Sequence, residues 1–271
     1  MMHTHMPAAG AGLVLLGLVI PGSVAAQIDY RNLDDDRPVV TEDAYPVERY
    51  AFELIVPYHF EAEAGGESVH VTVPELAYGV LANAQVGIKL PIAAVSAGGE
   101  TETGLSGIHL FGLYNLNTEA RWLPALAVRG DLRLPAGGLA GDATRFTVKA
   151  IATRSWGATR AHLNAAWSFG DDGPLAVAEP AVRWRTSVAV DRALIRRSLL
   201  FIAEVSASEA VRGAPAEVNA GAGFRWQWTP TFVLDAGVQR RLRDDIGPDI
   251  GVTIGLSHAF ALRGLMPRGG R

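Results

Sequence analysis

The sequence predicts an all-β protein: a transmembrane antiparallel β-barrel of about twelve strands, with short periplasmic turns and longer extracellular loops. Three observations predict it. From Arg49 onward, apolar and polar residues alternate with period two rather than 3.6. Most alternating stretches exceed the roughly 5–6 residues of a typical soluble strand and reach the ~9–11 that a tilted strand needs to cross a bilayer. The connections between them alternate between tight and long.

Composition narrows the choice. The 271 residues carry 24 Lys and Arg against 28 Asp and Glu, a net charge of −4, and Lys89 and Lys149 are the only lysines. A mildly acidic chain gives no footing for nucleic acid, which requires a basic face. Cysteine is absent, which excludes disulfides, a thiolate nucleophile and a Cys–zinc site. Thirty glycines argue against a long helical bundle, and beyond residue 26 no uncharged apolar run is long enough for a transmembrane helix.

Residues 1–26 are expected to be a signal peptide. Leu13 to Ile20 read LVLLGLVI, Pro21-Gly22 break the run, and Val24-Ala25-Ala26 offer the small side chains that a signal peptidase accepts. Residues 27–48 are polar and aperiodic, with Arg31 to Asp43 reading RNLDDDRPVVTED. Two places suit them, a periplasmic leader or a plug tucked into the lumen. Asp34-Asp35-Asp36 read as solvated charge rather than as a cation site. The barrel itself is expected over 49–261, followed by a C-terminal tail, 262–271.

Within the barrel, Ala51, Glu53, Ile55, Pro57, His59 and Glu61 alternate with Tyr50, Phe52, Leu54, Val56, Tyr58 and Phe60. The same pattern repeats at about 67–80, 84–95, 104–116, 119–134, 142–155, 158–169, 178–190, 197–208, 216–228, 230–241 and 249–261. Tight connections are expected at 81–83, 117–118, 155–157 and 229, and longer ones around Gly65-Gly66, Gly98-Gly99, 136–141, 170–174, 209–215 and 243–248. Asp191 to Arg196 is a longer link on the short side. With the first strand running outward, Tyr50, Tyr78, Tyr114, Trp122, Trp228, Phe232 and Phe260 fall near the periplasmic ends, and Tyr58, Phe60, Phe146, Trp167 and Phe169 near the outer ends. Two aromatic belts are what two lipid headgroup layers select.

The polar face carries the expected lumen lining: Glu53, His59, Glu61, Arg129, Asp131, Arg133, Arg145, Thr147, Lys149, Arg183, Arg185, Glu204, Arg225, Asp235 and Gln239. Twelve strands give a backbone radius of roughly 12 Å, so side chains from opposite walls use most of the width. A narrow wet pore or a plugged one fits, and a wide general porin does not. Arginines and Lys149 gather on the fifth, sixth and eighth strands, while Glu53 and Glu61 lie on the first. Facing rows of opposite sign would set a transverse field that favours small anionic or dipolar solutes. The alternative is that these charges are mutually paired and structural.

Catalytic signatures are missing. No Gly-x-Ser-x-Gly, His-Glu-x-x-His or P-loop occurs, so no enzymatic role is expected. Ser257 and His258 are neighbours and must point to opposite faces of a strand. His162 and Asn164 share the polar face without a serine beside them, and His59 with His70 would make at most a weak metal pair. No metal and no cofactor is expected. The expected partners are outer-membrane lipid, a small-molecule solute and the barrel-assembly machinery during biogenesis.

The chain resembles the outer-membrane transporters associated with the meta pathway of phenol degradation. The stretches that carry the resemblance are Arg37-Pro38 with Thr41-Glu42-Asp43-Ala44, PELAYGVLANAQVGIKLP at 74–91, LPALAVRGDLRLPAGG at 123–138 and DIGPDIGVTIGLSHAF at 245–260. Ser106-Gly107 departs from the acidic residue that the family carries at the start of its fourth strand. The resemblance implies a barrel in the bacterial outer membrane and uptake of aromatic or other hydrophobic compounds. The expected function is passive uptake of small solutes; the alternative is a structural or adhesive barrel with a sealed lumen.

Overall fold

The computed structural model describes residues 23–24, 29–62, 67–170, 182–194, 198–210, 215–243 and 248–266. The expected signal peptide falls almost wholly outside the described residues; only Ser23 and Val24 are placed, paired with Leu262 and Ala261.

Twelve antiparallel strands close into a barrel. They are β1 (Ala51–Ala62), β2 (Ser68–Thr72 with Glu75–Leu81), β3 (Ala84–Lys89 with Ile92–Ala97), β4 (Glu100–Leu105 with Ile108–Asn117), β5 (Ala125–Leu134), β6 (Arg145–Trp156), β7 (Thr159–Gly170), β8 (Val182–Ala193), β9 (Leu199–Ala210), β10 (Glu217–Thr229), β11 (Phe232–Arg241) and β12 (Ile250–Leu262). The cylinder closes where β12 pairs with β1, from Ile250 opposite Ala62 to Ala261 opposite Ala51. Closure leaves no free edge along this seam, so the backbone groups satisfy one another.

Alternation sets the two faces. Val86, Leu110, Val128, Leu163, Val188, Val205, Phe224 and Ile254 are exposed on the outside. Arg129, Arg145, Asn164, Asp191, Arg225 and Asp235 are buried inside. A polar core in an apolar coat inverts the arrangement of a water-soluble protein and matches that of a membrane barrel.

Several expected boundaries are corrected. β2 and β3 are each broken, at Val73-Pro74 and Leu90-Pro91, because proline has no N–H for the ladder. Pro57, Pro74 and Pro91 instead accept hydrogen bonds at their carbonyls from Val73, Leu90 and Ser106. β4 begins at Glu100 and is interrupted at Ser106-Gly107, so the longer loop expected at Gly98-Gly99 is a two-residue turn with φ of 60° and 86°. Positive φ at both positions is the hairpin geometry that two glycines supply without strain. β5 begins at Ala125 instead of 119, because Arg154 holds the carbonyls of Ala120, Arg121 and Leu123 in a wider turn. β8 runs on to Ala193, which takes Asp191 to Ala193 out of the link expected there.

Candidate functional site

The lumen is filled by residues 29–48, which run through it without joining the sheet; Asp34 and Arg37 bridge each other within the segment, and Arg49, just beyond it, bridges Gly79. What holds them is a set of wall side chains aimed at main-chain groups. Glu204 accepts from the N–H of Val40 at 3.2 Å and of Thr41 at 2.7 Å. Asn164 accepts from the N–H of Glu42 and donates to its carbonyl, each at 2.8 Å. Thr153 accepts from Ala44 at 3.1 Å, Asn115 donates to the Ala44 carbonyl at 2.7 Å, and Gln85 accepts from Val47 at 2.6 Å. The main-chain groups of Val40 to Glu42, of Ala44 and of Val47, which have no strand partner, are thus satisfied by side chains of the barrel.

Charge does the rest. Arg37, 1% exposed, donates to Asp235 and Asp34 at 2.5 Å each and also to Ser257, with Glu53 3.7 Å away. Asp34 also meets Arg225 at 3.0 Å. Asp35 is bound by Lys89 at 2.8 Å, by Lys149, and by Arg129 at 3.5 Å. Asp36 reaches Arg185 at 3.1 Å. Glu42 binds Arg129 at 2.8 Å and Lys149 at 3.1 Å, and Asp43 binds Arg160 at 2.9 Å. The three aspartates therefore go to three sectors of the wall; Asp34 and Asp35 are largely buried there, while Asp36 keeps 44% of its side chain exposed. Burial raises the carboxyl of Asp35, but Lys149, Lys89 and Arg129 outweigh it and hold the group well below its ordinary value. Asp34 is lowered too, burial being overcome by Arg37 and Arg225. For Asp43 burial prevails over Arg160 and the value is raised.

Apolar packing completes the seat. Leu33 and Val39 pack with Ala189, Leu200 and Ile202, and Ala44 with Leu113, Ala125, Ala127 and Ile151. Gly223 and Gly237 are register partners on β10 and β11 and form a flat floor under Pro38. A Cβ on Gly237 would stand 2.2 Å from the Pro38 carbonyl oxygen, so no other residue fits there with the segment in place.

Above the crest of this segment lies a cavity of about 340 Å³. His59, Glu61, Asp131, Arg133, Arg145, Lys149, Arg185, Glu204 and Gln239 line it, with Thr147. Glu53, Arg129, Arg225 and Asp235 lie beneath it, each 5% exposed or less. Arg183 is the exception. A register shift between Val182 and Trp184 takes it out of the alternation, and it sits 3.7 Å from Glu209 instead of on the cavity wall. The transverse field expected between the arginine strands and the first strand is met, at the level of the crest, by the acids of the inner segment: Arg129, Lys149 and Arg185 all face them.

Sequence reading passed over Gln85, Asn115, Thr153, Arg160, Asp191 and the gripping role of Asn164. Apart from Asp191, which the sequence places in a link, each stands on the inward parity of its strand, so the alternation marks its face; what it does not mark is a partner far away in sequence. His162 binds Asp191 at 2.9 Å and Thr153 at 3.0 Å, fully buried, as part of this scaffold. His59 and His70 stand on opposite faces, His59 near Thr253 at 3.3 Å and His70 bonded to Tyr58 at 2.7 Å, so they form no pair. Among the described residues no group of His, Asp and Glu is arranged to hold a metal. Ser257 binds Arg37 inside, and His258 lies against Phe232 and Phe260 outside.

The chain matches no family model, and no curated protein is similar to it in sequence. The phenol-degradation association accordingly rests on the motifs alone. Solved structures do match. An outer-membrane channel from Pseudomonas putida F1 is 14% identical with a TM-score of 0.60, over 84% of this chain and 100% of that one. The KdgM porin is 9% identical with a TM-score of 0.50, over 75% and 98%, and it has also been solved in complex with disordered oligogalacturonate. The β domain of the Bordetella autotransporter BrkA is 12% identical with a TM-score of 0.50, over 77% and 99%. At such identities the likeness is one of fold, and that fold is the outer-membrane barrel.

Proposed function

We propose that the protein is a channel of the bacterial outer membrane, exported by its N-terminal leader, that lets small solutes diffuse past or around its inner segment, with no catalytic step. One observation carries this reading. The cylinder has an apolar outside and a polar inside, and the inside is filled by a length of chain that belongs to no barrel strand, not by side chains of the wall alone. Side chains alone fill a barrel of about eight strands, and twelve leave room for a separate length of chain or for a passage. A wall that presents carboxylate, amide and hydroxyl groups to a separate strap encloses a passage that the strap regulates. Apolar or aromatic solutes suit the apolar part of the cavity, where Ile55, Pro57, Val69, Val71 and Val73 line one side. The neighbours named as channel and porin are consistent with passage of solutes.

Reconstitution in planar bilayers tests the reading. The full chain is expected to give small, discrete conductance steps, and the chain without residues 29–48 larger ones. A barrel that is silent in both forms favours the sealed, structural alternative. The dense ion pairing of Arg37, Asp34 and Asp235 is the observation that speaks for that second reading.

A further inference from the structure

The sheet has an open edge at its outer rim. β5 ends at Leu134, opposite Ile108, so the outer half of β4, Glu100–Leu105, has no strand beside it on that side. It pairs only with Ile92–Ala97 of β3, and the strand order ends with it.

Two hydrogen bonds fix which main-chain groups lie on this edge. The Ser106 N–H turns toward β3 and donates to the Pro91 carbonyl at 2.9 Å, while the Leu105 carbonyl turns away from β3 and accepts from Leu139 at 3.1 Å. Main-chain groups alternate along an antiparallel strand. The N–H and C=O of Thr101 and Thr103 therefore point to the open side, and those of Glu100 and Glu102 into the ladder. The hydroxyls of Ser96 and Thr101, register partners, meet at 2.9 Å, the close approach expected of a pair that exchanges no main-chain bonds. The loop after β5 covers the lower end of the edge, where Gly137 abuts the Leu105 carbonyl. Above it, Glu100 to Thr103 are all exposed, and among the described residues no main-chain group pairs with the open side of Thr101 or Thr103.

An unpaired edge is a template for another strand, and charge selects which one. Beside an added antiparallel strand, Glu100 and Glu102 would hold the positions without main-chain bonds, where facing side chains come closest. A second copy of this edge brings four glutamates together and is repelled. Lysine or arginine at the facing positions makes cross-strand ion pairs instead.

We propose that Glu100 to Thr103 form a docking site on the outer rim for an extended basic peptide segment of another protein, which adds to β4 as a further strand. The site does not depend on whether the barrel conducts.

Calorimetric titration of the full-length barrel in phosphatidylcholine nanodiscs tests it. The probe is a capped five-residue peptide that alternates lysine with valine and has lysine at both ends. Saturable binding is expected. With lysines facing Glu100 and Glu102, the valines face Thr101 and Thr103, so the valine amides supply the hydrogen bonds. N-methylation of the valine amides should abolish binding, and N-methylation of lysine amides should spare it. Glu100→Gln with Glu102→Gln should weaken the parent peptide roughly fivefold, the scale of two cross-strand ion pairs. Thr103→Pro should abolish binding while the hairpin keeps its pairing, because the N–H that proline lacks is outside the ladder with β3. The methylated peptides act on the unaltered barrel and need no variant to fold. The same response to both methylated peptides, an affinity indifferent to the two glutamates, or equal binding of a glutamate–valine peptide overturns the site. An absence of binding overturns it too and leaves the glutamates as guards against pairing between copies.

Discussion

Arg37 of the inner segment and Asp235 of β11 meet at 2.5 Å with 1% and 0% of their side chains exposed. Two chain positions far apart in sequence are thereby tied at the centre of the barrel. Breaking a buried pair from one side leaves the other charge unmatched, which costs about 3–5 kcal/mol. Asp235→Asn is expected to lower the resistance of the folded barrel to denaturant by an amount of that order and to raise its open probability. Urea unfolding in vesicles and single-channel recording check the two halves. A variant as stable and as quiet as the parent would mean that Asp34, Glu53 and Ser257 hold Arg37 without it.

Gly237 gives a purely steric handle. With a Cβ only 2.2 Å from the Pro38 carbonyl oxygen, Gly237→Ala cannot coexist with the seated segment. The barrel strands pair through main-chain groups and should close as before. The expected result is a normally folded, heat-modifiable barrel whose residues 29–48 are cut readily by added protease. Protection equal to that of the parent would refute the close contact.

Acid should unseat the segment only at very low pH. The carboxyls of Asp34 and Asp35 lie below their ordinary 3.8 when folded, Asp35 well below, because the surrounding cations outweigh burial. A depressed folded value means that the stabilisation is whole above about 3.8 and is lost as pH falls through the depressed values. Conductance recorded from pH 7 downward should therefore stay flat through pH 5 and rise only under strongly acidic conditions. An increase already complete by pH 5 would assign the release to other groups.

The coat can be tested at Val188 and Val205, register partners that are 53% and 51% exposed near the middle of β8 and β9. Val188→Arg should destabilise the barrel by about 2–4 kcal/mol in a bilayer, the cost of arginine near the membrane midplane. The readout is unfolding in lipid vesicles, and an effect near zero would mean that water, not lipid, meets this surface.

How much of this the sequence discloses follows from the physics of each feature. Strand number and face are local properties of a period-two pattern, so they are legible: Asp235 and Arg225 read as inward, and they are. Strand ends are less so. Ala125 starts β5 later than the alternation suggests because Arg154, far along the chain, claims the carbonyls before it. Arg183 has the right parity but a register shift beside Trp184 removes it from the cavity. The grip on residues 40–47 is not legible at all. Asn164, Thr153 and Gln85 are unremarkable inward polar residues until the main chain they bind is in place.

That grip has an implication for exchange. Glu204, Asn164, Thr153, Asn115 and Gln85 recognise amide groups that every peptide possesses, while side-chain identity is read at Asp34 to Arg37 and again at Thr41 to Asp43. The emptied cylinder is in this sense a peptide receptor with a short address. A free oligopeptide that spells Asp34 to Asp43 and carries arbitrary small residues behind it should dock where the tethered one did and compete with it.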